Sequence, residues 1–190
     1  MQVSKLKPWQ VVSTKVVHTT PWIEVVEDLC KIDATSLTYT YTRRVDEGPL
    51  IIAEAEDNKI WLVRQYRHAI KKIIWQFPVE GKLVAESWEA AAQRGLEEEL
   101  GLHADRLVEL GTFYPDPGGL EQKYKAFVAT GLHPSTAQHS DPNLDEVEQL
   151  EAGCFSLQEV EQLITEGEIC DNWTLSGLFL YRRYRHSLGL

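Results

Sequence analysis

The sequence predicts an α/β protein in which a few helices pack on a mixed β-sheet. Many short segments are rich in β-branched and aromatic residues and are bounded by turn residues, as strands are. Three segments with helical spacing carry their own start and stop residues. Strands and helices do not alternate regularly along the chain, so the pattern favours a mixed sheet over a doubly wound parallel one.

The first part of the chain is predicted to form antiparallel strands. In residues 37–42, β-branched and aromatic side chains alternate with a period of two, which places them on opposite faces of a sheet. Asp57 and Asn58 are typical of a hairpin turn. The strands predicted here are residues 10–17, 22–26, 37–42, 50–54 and 59–66.

The rest of the chain shows less regular alternation of side chains and contains the predicted helices. The first helix covers residues 87–99, with Ser87 as its N-cap and Gly101 as its stop. Ser156 is predicted to cap a second helix, and Asp171 to begin a third. The remaining predicted elements are strands at 75–77, 107–113, 123–129 and 152–155, the loop 114–119, the polar linker 133–143, and helices at 157–166 and 174–184.

Composition limits the classes of function. The 190 residues, of which 43% are hydrophobic, are enough to bury a substantial core. A net charge of −10 argues against nonspecific nucleic-acid binding, which needs a basic surface. The three cysteines are far apart and odd in number, so they are predicted to be reduced thiols. With no apolar run of signal-peptide or membrane-span length, we predict a soluble cytoplasmic protein.

Three consecutive glutamates end the first predicted helix. Glu97, Glu98 and Glu99 are consecutive acids, and Arg94 lies four residues before Glu98, on the same side of the helix. Clustered carboxylates supply the oxygen ligands that Mg²⁺ and Mn²⁺ prefer. A run of acids on a helix is more often only a solvated face, so the spacing alone leaves both interpretations open.

The segment around these glutamates resembles the Nudix box, G-x5-E-x7-R-E-U-x-E-E-x-G-U, where U is aliphatic. The segments similar to the flanks of the box in the ADP-ribose pyrophosphatase branch are residues 62–68, 111–118, 154–159 and 167–169, with Asp171. The resemblance covers residues 9–184 and implies a Nudix α/β/α sandwich. The positions that fall in register with the box are Glu86, Arg94, Leu96, Glu98, Glu99, Gly101 and Leu102.

This resemblance implies metal-dependent hydrolysis of the pyrophosphate bond of a nucleoside diphosphate sugar such as ADP-ribose. The products would be a nucleoside monophosphate and a sugar phosphate. Mg²⁺ is the implied metal, with Mn²⁺ as an alternative. The implied organisation is an N-terminal strand region, residues 1–48, that mediates homodimerisation, followed by a Nudix hydrolase domain at 49–190. The partners are a small-molecule substrate and a second copy of the chain, with neither nucleic acid nor membrane.

The resemblance also implies roles for particular side chains. Glu98 and Glu99 match the metal ligands of the box, and Arg94 would orient a glutamate through an ion pair. A further glutamate of this branch lies on a loop before the C-terminal strand, where Glu146 is the leading candidate for the base. Glu148, in the same loop, is a possible third ligand.

Three residues are predicted to contact the substrate. Arg67 is the best cation for a substrate phosphate, and Tyr66 precedes it in the same segment. Trp22 or Tyr41 is a candidate for stacking on the base, because the N-terminal strands of this branch contribute to a dimer and its shared site.

Two positions depart from the box. Gly95 stands where the pattern has the glutamate after the arginine, and glycine costs about 1 kcal/mol in a helix interior. Glu97 does not replace that glutamate, because it is rotated about 200° from position 95, and it is predicted to be a solvated neighbour. Gly81 lies one residue late, with Glu80 in the place of the box glycine.

These departures leave two alternatives open. In one, Glu80 supplies the carboxylate that Gly95 lacks, which makes Glu80 a further candidate metal ligand. In the other, the chain is a Nudix-fold protein that binds a nucleotide or a protein partner without turnover.

Overall fold

The computed structural model describes residues 6–44, 46–136 and 150–190. In these ranges the chain forms strands, three α-helices and one short 3₁₀ turn. No helix in these ranges combines the length and the apolar character needed to cross a membrane. The strands are β1 (Gln10–Thr19), β2 (Ile23–Ile32), β3 (Thr35–Arg44), β4 (Gly48–Glu54), β5 (Ile60–Arg67), β6 (Lys72–Gln76), β7 (Leu102–Phe113), β8 (Leu120–Glu121), β9 (Tyr124–Pro134) and β10 (Glu151–Phe155). The helices are α1 (Trp88–Leu100), α2 (Leu157–Glu166) and α3 (Asn172–Ser187).

The chain divides into two compact units. The first contains the N-terminal strands up to Glu47 together with Tyr114–Gln122. Its sheet has the order β1-β2-β3-β8, in which β1, β2 and β3 pair antiparallel and β8 pairs parallel to β3. The predicted domain boundary after residue 48 and the predicted role of this region in dimerisation stay predictions.

The second unit is built on a mixed sheet of order β10-β5-β4-β9-β7, with β6 paired to β5. Strands β4 and β9 run parallel, whereas β5 pairs antiparallel with β4, β6 and β10, and β7 pairs antiparallel with β9. The turn between β4 and β5 contains Asp57 and Asn58, both with a φ of 61°, as a hairpin turn of this kind requires. The predicted hairpin is therefore confirmed.

Strand β4 explains why helices cover both faces of this sheet. Leu50 and Ile52 point to one face and pack with buried side chains of α2 and α3. Ile51 and Ala53 point to the other face and pack with buried side chains of α1. All four are fully buried, and each buried leucine or isoleucine stabilises the fold by about 1.5–3 kcal/mol. The predicted α/β/α sandwich is confirmed.

Helix α1 begins and ends where its sequence predicts. The Ser87 hydroxyl accepts a hydrogen bond from the Ala90 amide at 3.1 Å, which satisfies one of the free N–H groups at the helix start. Gly101 adopts a left-handed conformation with φ of 65°, and its amide donates to the Glu97 carbonyl at 2.9 Å. The predicted caps at Ser156 and Asp171 are also confirmed.

Several strand predictions differ from the structure. Strand β2 continues to Ile32, β6 begins at Lys72, and β9 continues to Pro134, into the predicted linker. Strand β7 begins at Leu102, directly after α1, because it pairs with β9 along almost its whole length. The segment after the predicted loop 114–119 forms β8, a two-residue strand against Thr42 and Arg43. Such pairing depends on partners distant in the sequence, so the local pattern does not show it.

Candidate active site

Arg94 is the centre of the candidate site. Its Nε and Nη2 atoms donate to the two oxygens of Glu86 at 3.1 and 3.0 Å, a bidentate geometry that is stronger than a single hydrogen bond. Nη2 also donates to the Gly81 carbonyl at 2.6 Å. The hydrogen bond with Glu86 raises the pKa of Arg94, and the same bond lowers the pKa of Glu86. Arg94 therefore holds the loop before α1 against the helix.

The third guanidinium nitrogen of Arg94 contacts two further carboxylates. Nη1 lies 3.1 Å from a Glu80 oxygen and 3.3 Å from a Glu98 oxygen. Both side chains are partly open to solvent, with exposed fractions of 20% and 34%. Three carboxylates thus surround one guanidinium, and the excess of negative charge suits a divalent cation.

Glu99, near the C-terminal end of α1, makes a hydrogen bond with the turn that precedes the helix. One of its carboxylate oxygens accepts a hydrogen bond from the Val79 amide at 3.1 Å. Val79 directly precedes Glu80, so the carboxylates of Glu80, Glu98 and Glu99 all lie around this turn. The Gly81 carbonyl adds a further oxygen beside them.

The chemistry of this donor set fits a hard divalent ion such as Mg²⁺, because every donor is an oxygen and three are carboxylates. Among the residues that the structure describes, no three acidic, histidine or cysteine side chains are already grouped as a metal site. In this geometry one oxygen of Glu80 and one oxygen of Glu98 contact Arg94 Nη1.

Gly95 is buried in α1, and Glu80 fills the space beside it. A Cβ placed at position 95 would lie 2.6 Å from Glu80 Cβ, 3.2 Å from Glu80 Cγ and 3.0 Å from Ile51 Cδ1. Real Cβ atoms essentially never approach another heavy atom as closely as 2.6 Å. The stem of Glu80 therefore passes over the helix at the one residue that has no side chain.

Glu97 is not the solvated neighbour that the sequence suggests. Its side chain is only 10% exposed. Its carboxylate accepts a hydrogen bond from the Gln93 amide group at 3.0 Å and lies 2.7 Å from His103 Nδ1. The prediction is wrong because β7 turns back along α1 and covers this side of the helix, which local sequence does not reveal.

Two predicted substrate residues, Arg67 and Tyr66, lie in β5. The Arg67 Nε donates to the Gln76 side-chain oxygen at 2.8 Å, and its guanidinium lies 5.9 Å from the centre of the Trp173 ring. Tyr66 is 53% exposed. Tyr66 and Arg67 are consecutive in β5, so their side chains point to opposite faces of the sheet. The substrate role of each residue stays a prediction.

Trp22, Glu146 and Glu148 complete the predicted set. Trp22 lies in the other unit, in the turn that precedes β2, and is 69% exposed. Glu146 and Glu148 lie outside the described residues, so the predicted base and third ligand stay predictions.

One group of cations near α1 was not predicted from the sequence. The ammonium groups of Lys82, Lys123 and Lys125 lie 5.9, 5.6 and 5.2 Å from the centre of the Trp88 ring, at the first residue of the helix. Each such contact contributes about 0.5–1 kcal/mol at an exposed position. The alternation of Lys123 and Lys125 was the only local signal, and the place of Lys82 depends on the fold.

Fold and site together define the class: an α/β/α sandwich with a carboxylate-bearing helix whose donors suit a divalent cation. The model of the NUDIX domain matches residues 43–172, which is well over half of the chain. The chain belongs to the Nudix family.

Three curated proteins are similar to this chain in sequence. The methanol dehydrogenase activator of Bacillus methanolicus is 34% identical over 126 residues, 66% of each protein. The ADP-ribose pyrophosphatase of Bacillus subtilis (strain 168) is 31% identical over 122 residues, 64% of each. The ADP-ribose pyrophosphatase of Mycobacterium tuberculosis (strain ATCC 25618 / H37Rv) is 27% identical over 180 residues, 90% of this chain and 81% of the relative. The chain thus spans slightly less than two thirds of the first two relatives.

A solved structure confirms the fold. The crystal structure of an ADP compounds hydrolase superposes with a TM-score of 0.82 at 22% identity, covering 98% of this chain and 99% of that one. The predicted resemblance to the ADP-ribose pyrophosphatase branch is confirmed by the two pyrophosphatases among the relatives. These relatives and the family support the predicted class of enzyme, a pyrophosphohydrolase.

Proposed function

We propose that this protein is a divalent-metal-dependent pyrophosphohydrolase that cleaves a nucleoside diphosphate sugar such as ADP-ribose. The observation that carries the proposal is the group of carboxylates on α1 and its preceding turn, organised by Arg94. Mg²⁺ is the proposed metal and Mn²⁺ the alternative, because the donors are all oxygens. The proposed products are a nucleoside monophosphate and a sugar phosphate.

In the proposed reaction, water attacks one phosphorus of the diphosphate. A new P–O bond forms, the bridging P–O bond breaks, and the bridging oxygen leaves with the second phosphate. Glu146 is proposed to accept the proton of the water as general base. A bound divalent ion would neutralise charge on the diphosphate and lower the pKa of the attacking water.

The remaining residues bind and position. Glu98 and Glu99 are proposed to hold the metal, with Glu148 as a third ligand. Arg94 keeps its neighbouring glutamates in place through the contacts described above. Arg67 is proposed to bind a substrate phosphate, and Tyr66, the preceding residue of β5, is proposed to contact the substrate separately.

Trp22 completes the proposed substrate contacts. Its exposed ring is available to stack on the nucleobase, and stacking is favourable on any base because every base has a π-face.

Hydrolysis is tested directly with ADP-ribose and a panel of nucleoside diphosphate sugars, each with Mg²⁺ or Mn²⁺. Phosphate is measured after phosphatase treatment, which acts on the monoester products and spares the intact diphosphate. We expect metal-dependent turnover, and we expect Glu98→Gln to lower the rate at least about 100-fold, because even residues that only support a metal ligand contribute 10–100-fold.

The matched control is Glu89→Gln, which removes one carboxylate from an exposed position in the first turn of the same helix. Its rate should equal that of the unaltered protein. Equal rates for Glu98→Gln and Glu89→Gln would contradict the role of Glu98 in the reaction.

The second candidate function is binding of a nucleotide or a protein partner without turnover. The observation that favours it is Gly95, which leaves α1 without a carboxylate at that position. One relative is named as an activator of methanol dehydrogenase. Stabilisation of the protein against heat by ADP-ribose, with no phosphate released from any substrate, would support this function over hydrolysis.

We further propose that the protein is a homodimer in the cytoplasm. Strand β1 is the edge of its sheet, and all ten of its residues are exposed. Val12 and Val16 are 48% and 42% exposed, and a long edge strand with exposed apolar side chains is a common site of pairing with another chain. The three free thiols fit a reducing compartment.

Val12→Lys should weaken the dimer, because a charge at an apolar edge opposes strand pairing. Light scattering after size-exclusion chromatography, over a range of protein concentrations, measures the mass. We expect the dimer for the unaltered protein and for the control Thr165→Lys, an exposed position on α2, and a shift toward monomer for Val12→Lys. A monomer mass for the unaltered protein would contradict the proposal.

A further inference from the structure

Gly95 occupies a costly place for a glycine, which calls for a physical reason. It lies in the middle of α1, where glycine destabilises a helix by about 1 kcal/mol relative to alanine. It has an ordinary helical backbone, so no unusual φ requires it. The reason that the structure offers is close approach, since the side chain of Glu80 occupies the volume that a Cβ would need.

The conformation of the Glu80 side chain determines the position of its carboxylate. After passing Gly95, it ends with Oε1 at 3.1 Å from Arg94 Nη1, the nitrogen that also faces Glu98. Oε1 also accepts a hydrogen bond from the Gly81 amide at 2.7 Å, which fixes its direction. The carboxylate is therefore held beside Glu98 by two separate donors.

Helix geometry places this carboxylate on the face of α1 that carries Glu98 and Glu99. Positions three and four residues beyond 95 lie on the same face of the helix as 95 itself, and these are Glu98 and Glu99. A side chain that crosses the helix at Gly95 therefore brings its carboxylate to the face that carries the two proposed metal ligands. The box pattern has glycine at 80 and glutamate at 95, and this chain has the two residues exchanged.

We propose that Glu80 is a metal ligand of this site, supplied from the turn before α1, and that Gly95 exists to let its side chain pass. The inference rests on the proposed metal-dependent function. In this arrangement the exchange of residues keeps the number of carboxylates at the site unchanged. Glu80 is 20% exposed, so a cation from solvent can reach it.

Binding of Mn²⁺ tests this without reference to turnover. The free Mn²⁺ signal in electron paramagnetic resonance is titrated with the unaltered protein, Glu80→Gln and the control Glu89→Gln. Glutamine has the shape of glutamate, so it still fills the space over Gly95 while it removes the charge. We expect the affinity for Mn²⁺ to fall at least about tenfold in Glu80→Gln, because divalent affinity follows the charge and number of ligands. Glu89→Gln should bind as the unaltered protein does.

The outcomes separate this inference from the proposed function. Equal Mn²⁺ affinity in Glu80→Gln and Glu89→Gln overturns the role of Glu80, even if the protein hydrolyses nucleoside diphosphate sugars. Weaker affinity in Glu80→Gln alone supports it, even if no sugar nucleotide in the panel is cleaved. If the unaltered protein binds no Mn²⁺, the role of Glu80 is overturned. Thermal unfolding of each variant confirms that all three compared proteins are folded.

Discussion

Replacing Arg94 by leucine should destabilise the protein by about 2–3 kcal/mol. Glu80, Glu86 and Glu98 would lose the guanidinium that they share, and the Gly81 carbonyl would lose a donor. Breaking a fully buried ion pair costs about 3–5 kcal/mol, and the partial exposure of Arg94 reduces this. Urea denaturation at pH 7 measures the change in the free energy of unfolding.

The chain offers a matched control on α3. Arg182 is an exposed arginine that pairs with Glu161, also exposed, so Arg182→Leu removes one surface ion pair. Such pairs contribute about 0–1 kcal/mol. If Arg94→Leu and Arg182→Leu lost the same free energy of unfolding, Arg94 would not organise the site as described.

The loss on removing Arg94 should also depend on pH. The hydrogen bond from Arg94 is the main cause of the lowered pKa of Glu86. A carboxyl group with a lowered pKa in the folded state stabilises the fold above its unfolded pKa, and this contribution disappears as the pH falls through its folded pKa. The difference in stability between the unaltered protein and Arg94→Leu should therefore be larger at pH 7 than at about pH 3, below the usual glutamate pKa.

The elements with local signals were predictable from the sequence, and those that depend on distant partners were not. Helix α1 was predictable because Ser87 and Gly101 cap it through bonds to residues three and four positions away. The start of β7 at Leu102 was not, because it depends on pairing with β9. The same holds for β8, which exists only through its pairing with β3.

The candidate site divides in the same way. The spacing of Arg94 and Glu98 is local to one helix, and their contact follows from it. The sequence could show that Gly95 is anomalous, and it could suggest Glu80 as a substitute ligand. It could not show that the Glu80 side chain fills the space over Gly95, because that contact joins the helix to a turn fifteen residues earlier in the chain. The low exposure of the Glu97 side chain was missed for the same physical reason.

This geometry makes Gly95→Glu a destabilising change, although it restores the residue of the box pattern. The new Cβ would lie 2.6 Å from Glu80 Cβ and 3.0 Å from Ile51 Cδ1. Ile51 is fully buried, so it has little room to move away. Overpacking of this kind costs about 1–3 kcal/mol, more than the gain of about 1 kcal/mol from removing a helical glycine. We expect a net loss of stability in urea denaturation and weaker binding of Mn²⁺, because Glu80 is displaced.

The double variant E80G/G95E should reverse both losses. Removing the Glu80 side chain opens the space over position 95, and the new glutamate supplies the carboxylate from the helix. The double variant should be at least about 1 kcal/mol more stable than the sum of the two single changes, as expected for residues in contact. Its affinity for Mn²⁺ should return toward that of the unaltered protein.

The control for this cycle is E80A/G95E. Alanine at position 80 keeps the Cβ that lies 2.6 Å from a Cβ at 95, so the collision persists although the Glu80 carboxylate is gone. Only the glycine variant should therefore rescue Gly95→Glu. Equal rescue by E80A and E80G would show that charge, and not close contact, couples the two positions. A Gly95→Glu single variant as stable as the unaltered protein would show that they are not coupled at all.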